Sequence, residues 1–148
     1  MLIVDPERVE FDGVEWGGVF AVSVDRAAAR PIVEWSDRGP HPTFADAPEQ
    51  TVTVRVHRRL GKTEIGTPRP GDLGLLRFVA ASAGDSAELV RASASVMVEK
   101  VGHRIVGGVA GGGRGVGGVA EQTIQLVALS ADGLADPLSI EAIDGGEA

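Results

Sequence analysis

The chain has 148 residues, 43% of them hydrophobic, and a net charge of −7 from 21 acidic against 14 basic side chains. That length suits one domain over residues 1–148, burying roughly 70% of its extended-chain surface. The charge argues against a protein that grips nucleic acid by its phosphates, which needs a basic face, and the lack of cysteine excludes disulfides, thiolate catalysis and Cys-ligated metals.

Six aromatics leave the core to Val, Leu, Ile and Ala, while 21 Gly and 8 Pro suit many turns and short strands better than a helical bundle. Met1-Leu2-Ile3-Val4 runs at once into Asp5-Pro6-Glu7, which gives no signal-peptide apolar region. No run approaches the roughly 20 apolar residues that span a bilayer.

In chain order, Val9-Glu10-Phe11 and Val14-Glu15-Trp16 flank Asp12-Gly13, a turn dipeptide, and predict a β-hairpin. After Gly17-Gly18, Val19 to Asp25 alternates, with Phe20, Val22 and Val24 on one face. Arg26 to Arg30 has the composition of one helical turn, ended by Pro31. Pro31 to Trp35 reads as a short strand. Ser36 to Pro48 holds Gly39, Pro40, Pro42 and Pro48, which rule out a central strand or a helix. It reads as a long irregular segment that follows Trp35 and carries Phe44, either a surface loop or a docking arm.

Glu49 to Leu60 is the clearest strand in the chain. Val52, Val54 and Val56 point one way, and Thr51, Thr53, Arg55 and His57 the other. Gly61 to Gly71 reads as a loop and Leu73 to Ala80 as a buried strand. Ala87 to Val106 fits a strand with Val90, Ala92, Ala94, Val96 and Val98 on one face and Arg91, Ser93, Ser95, Glu99 and His103 on the other. A short helix over Ala83 to Ala94 is the alternative. Residues 107–120 are a Gly-rich hairpin loop, eight of fourteen positions being Gly. Glu121 to Leu129 alternates again, and Ser130 to Ala148 reads as a polar tail.

No catalytic apparatus emerges. His41, His57 and His103 lack ligand spacing, and no His-Glu-x-x-His, EF-hand or Gly-x-Ser-x-Gly pattern occurs. The glycine tract is no phosphate loop, because Arg114 is followed by Gly115 and by no hydroxyl. The expectation is therefore no enzyme, no cofactor and no metal.

The order of features is similar to that of tail tube proteins of tailed phages and phage-like particles. The resemblance is carried by Val9-Glu10-Phe11-Asp12-Gly13-Val14, Val22-Ser23-Val24-Asp25-Arg26, Val33-Glu34-Trp35-Ser36-Asp37 and Phe44-Ala45-Asp46-Ala47-Pro48 running into the Glu49 strand. Gln122 to Gly133 is similar to the family's closing strand. The resemblance implies a mainly-β subunit, a β-sandwich or rolled barrel-like sheet, with one flanking helix for which Ala83 to Ala94 is the candidate. It implies commonly hexameric rings that stack into a tube, a channel that DNA crosses without specific binding, and contacts with other tail proteins. Assembly in the host cytoplasm and a final place in the virion tail follow. Trp35, Arg38, Pro40, His41, Phe44, Arg55, His57 and Arg114 are the candidate interface residues. Another tail or baseplate component, a secretion-tube protein, and a monomeric β-sandwich binding module are the alternatives. Two Trp and no Tyr make a poor sugar-stacking platform.

Overall fold

In a computed structural model of the chain, residues 2–4, 6–60, 67–81, 89–106 and 119–143 are described. Eleven strands follow one another: β1 (Leu2–Val4), β2 (Glu7–Phe11), β3 (Val14–Glu15), β4 (Val19–Ala28), β5 (Ile32–Trp35), β6 (Pro42–Asp46), β7 (Gln50–Leu60), β8 (Leu73–Ala81), β9 (Leu89–Val106), β10 (Val119–Leu129) and β11 (Ser139–Ile143). Nine form one antiparallel sheet in the order β1-β4-β7-β10-β9-β8-β2-β3, with β11 pairing β9 off this path; β5 and β6 form a separate two-stranded ladder.

The connectivity forces the large sheet to roll. Only Trp16-Gly17-Gly18 joins β3 to β4, six strand spacings apart in the order. In a flat sheet those strands would lie about 29 Å apart at ~4.8 Å per spacing, and four Cα steps reach at most ~15 Å. The curl brings the ends together, and the Arg58 guanidinium of β7 lies 5.8 Å over the ring of Trp16, which follows β3. The Arg59 N–H donates to the Gly18 carbonyl at 2.9 Å and extends the β4–β7 ladder into the β3–β4 link. Gly18 has φ +75°, and a Cβ there would strike the Arg59 carbonyl, so a side chain has no room. The Asp12-Gly13 turn has φ of 53° and 83°, the pair of positive values a two-residue hairpin turn takes.

The roll encloses one core. Val22 and Val24 of β4, Val52, Val54 and Val56 of β7, Leu76 and Phe78 of β8, Ala92, Ala94, Val96 and Val98 of β9 and Ile124 and Leu126 of β10 meet in it, with Val9 and Trp16 from the first hairpin. Each fully buried Val, Leu, Ile or Phe contributes about 1.5–3 kcal/mol relative to exposure. Small Ala92 and Ala94 stand across the ladder from the large Phe78 and Leu76.

Several sequence expectations are corrected. Arg26 to Ala28 continues β4 instead of making a helical turn, because Ala28 still pairs with Gln50 of β7. The irregular Ser36–Pro48 segment contains β6. Pro42 is its first residue, a place in a strand where the missing N–H is tolerated. Leu89 to Ala94 is strand, paired with β8 on one edge, and residues 83–88 of the alternative helix lie outside the described residues; among the described residues there is no helix. The tail contributes β11, which pairs with Leu89–Ser93. β9 carries an irregularity at Glu99–Lys100, opposite Gln125–Leu126 of β10. The extra residue flips the alternation, so Val101 packs on the core and His103 faces buried Gln122 instead of sharing a face with Ser93 and Ser95. Of the Gly-rich loop, residues 107–118 lie outside the described residues, but β9 and β10 pair up to Val106 and Val119 as the arms of a hairpin.

Candidate assembly surfaces

β5 and β6 make an arm. The β4–β7 ladder runs to Ala28 and Gln50 and gains one more bond from the Ala29 N–H to the Glu49 carbonyl at 2.8 Å. Pro31 and Pro48 then interrupt it, since neither has an N–H to give. Beyond that joint, pairing resumes at Ile32 with Asp46 and runs to Trp35 with Pro42. The arm is the distal half of one long hairpin.

Every residue of β5 and β6 is exposed. Trp35 is 63% exposed, Phe44 51%, Ile32 47% and Val33 42%. The ladder places Ile32, Glu34, Phe44 and Asp46 on one face and Val33 and Trp35 with Ala45 on the other. A two-stranded hairpin is at best marginally stable alone in water. Here both faces carry apolar side chains that the body leaves bare.

The outer face of the body is polar and internally bonded. One row crosses four strands: Asp25 pairs with Arg55, Arg55 Nε donates to Gln125 Oε1 at 3.2 Å, and Gln125 Nε2 donates to Glu99 Oε2 at 2.8 Å. A second group sets His57 Nδ1 3.2 Å from Thr123 Oγ1. The His57 ring lies 6.1 Å from that of Phe20, over which Arg59 stands at 5.4 Å. These side chains are engaged with one another and present a hydrated surface.

Seven of the eight interface candidates thus fall into two groups. Trp35 and Phe44 stand on the arm's strands, and Arg38, Pro40 and His41 lie at its tip. Arg55 and His57 lie on the outer face of β7 within the two bonded groups. The structure does not bring the groups together, and Arg114 lies outside the described residues.

Two polar residues are found where the sequence reading had not sought them. Arg58 is 4% and Gln122 1% exposed, and they pair across β7 and β10. The Arg58 guanidinium lies 5.8 Å over the Trp16 ring. Gln122 Nε2 donates to the Thr67 carbonyl at 3.2 Å and lies 3.1 Å from His103 Nε2. Their signal was parity: each continues the inward-facing series of its strand.

Residues 130–138 leave the sheet between β10 and β11 and overhang a cleft of about 490 Å³ beside the arm's root. Asp132 holds the excursion's turn. The Ala135 and Leu134 N–H groups and the Ser130 hydroxyl all donate to it and keep its carboxyl below the usual range. Asp136 is lowered by the Arg26 guanidinium at 2.9 Å, then by the Leu138 N–H.

Among the described residues no group of three or more His, Asp or Glu could hold a metal ion, and no helix is long and apolar enough to cross a membrane. No protein-family model matches the chain, and no curated protein matches it.

Proposed function

We propose that the chain is a structural subunit of a phage or phage-like tail tube, without enzymatic activity, whose copies form hexameric rings stacked around a channel for DNA. The observation that carries the reading is the arm: a hairpin held off the body with Trp35, Phe44, Ile32 and Val33 exposed. Such a surface is stabilised when another subunit covers it.

Two further features support it. Beyond Ser23, the outer edge of β4 is not covered by β1, which pairs only with Ala21–Ser23. Joining such edges around a closed ring removes an aggregation hazard. A chain of net charge −7 also gives passing DNA little to adhere to. Stacking one ring on the next is a non-closing contact and produces a filament.

The test is negative-stain electron microscopy of the concentrated, purified chain beside its mass in solution. Hollow rings or stacked tubes are the expected result. Monodisperse monomers at every concentration and salt, with no capture of a tail component, would overturn the reading and favour a monomeric binding module.

A further inference from the structure

We propose that the arm of one copy docks on an arginine-lined face of β2, β8 and β9 of the next copy. The inference rests on the tube reading and names the contact that would build it.

Arg8, Arg77 and Arg91 surround a shallow cavity of about 210 Å³ whose remaining wall is Glu10 and the Phe78–Val79 segment. The ladder assembles them. Arg77 stands between Glu10 of β2 and Ser93 of β9, and Arg91 stands across from Val79. Arg8 arrives by an irregularity: the β2–β8 register shifts between Glu7 and Glu10, and Arg8 has φ +47°. That conformation costs a residue with a side chain roughly 1–2 kcal/mol. Its effect is to expose both Glu7 and Arg8 while Val9 enters the core. Among the described residues, no hydrogen bond or ion pair engages any of the three guanidinium groups. Glu7 stands across the ladder from Val79 and Glu141 directly across from Arg91, though neither lines the cavity.

The lining therefore carries three positive charges against Glu10. The arm carries the opposite sign, with Glu34, Asp37 and Asp46 against Arg38. An arginine fork accepts a carboxylate in bidentate geometry, and complementary fields fix which surfaces meet. The arm springs from β4 and β7, and the arginines sit on β8, β9 and β2, so the two patches belong to different strands. Two different patches that meet between copies make a heterologous contact, the kind that generates rings and tubes.

The experiment is a charge exchange in the full chain. R77E/R91E is expected to raise the concentration needed for assembly at least tenfold, E34R/D37R to do the same, and the four changes together to restore assembly. Circular dichroism checks that each variant keeps its β-sheet. Because the chain has no cysteine, a D37C/S93C variant gives a second readout: oxidation is expected to produce a ladder of covalent multimers. Unimpaired assembly of R77E/R91E, failure of the combined variant to recover, or no ladder from tubes that do form would overturn the docking while leaving the tube reading intact. Loss of duplex-DNA binding by R77E/R91E with assembly unchanged would assign the patch to phosphate instead. A wild-type chain that never assembles would overturn both readings.

Discussion

β4 and β7 make one long hairpin with two fates. In its proximal half, Val22, Val24, Val52, Val54 and Val56 are at most 5% exposed. In its distal half, β5 and β6 hold the same antiparallel pairing and bury nothing. The backbone pattern is nearly the same on both sides of the Pro31–Pro48 joint. What differs is a covering surface, which shows that strand formation and burial are separable. The first is local hydrogen bonding and β-branched composition. The second requires another layer, supplied within the chain for the body and by none of the described residues for the arm.

Substitutions in the two halves should therefore have opposite signatures. Phe78 is 1% exposed beneath the body. Phe78→Ala is expected to cost ~3–5 kcal/mol, read as a lower urea midpoint, and to abolish assembly because the fold is weakened. At the β3–β4 link, Gly18→Ala is expected to fall at the upper end of the roughly 1–3 kcal/mol that strained backbone costs, since the new Cβ meets the Arg59 carbonyl. Gly13→Ala, with open space around it, should cost about 1 kcal/mol from its positive φ alone. Equal midpoints for the two variants would show that the link is not tight. On the arm, Trp35→Ser with Phe44→Ser should shift body stability by no more than about 0.5 kcal/mol yet prevent assembly in sedimentation. A large loss of stability with assembly intact would reverse the assignment of the two halves.

The smallest effect concerns acid. Asp132 and Asp136 both have lowered pKa values. A carboxylate with a depressed folded-state pKa adds stability above its unfolded value, near pH 4. That stability is lost as pH falls through the lower folded value. Hydrogen exchange at the Leu134, Ala135 and Leu138 amides should accelerate, after correction for intrinsic rates, as pH drops below about 4, before the β7 and β10 amides respond. Simultaneous exposure would mean that the excursion unfolds only with the body.

Much of the fold was legible because period-two alternation leaves little freedom. Val52, Val54 and Val56 name the inward face of β7, and the Asp12-Gly13 turn names its hairpin. Parity carried further than it was read: Arg58 continues the valine series and is buried, but its charge argued for solvent until Trp16 provided a face for it. Parity also failed at a definable place. The irregularity at Glu99–Lys100 moves His103 to the side of Gln122, and no residue type in Val98 to Gly102 signals an extra residue. β6 was obscured by three prolines, which exclude a central strand but not an edge of a two-stranded ladder. The arm's apolar residues were visible in sequence. That they share an exposed ladder, apart from Arg55 and His57, was not, because exposure depends on long-range packing and not on local pattern.

β10 and β11 lie along the same edge of β9, the first paired with Ser95–Val106 and the second with Leu89–Ser93. They amount to one strand that steps out for residues 130–138 and returns to its ladder. Such a detour is a natural port for inserted sequence. Its two necks are fixed by β-pairing on either side, and doubling the length of a flexible loop adds only about 0.6 kcal/mol of closure entropy. Leu134, 92% exposed at the turn, is where a peptide tag or a whole domain could be spliced in, leaving both ladder segments in register and the arm untouched.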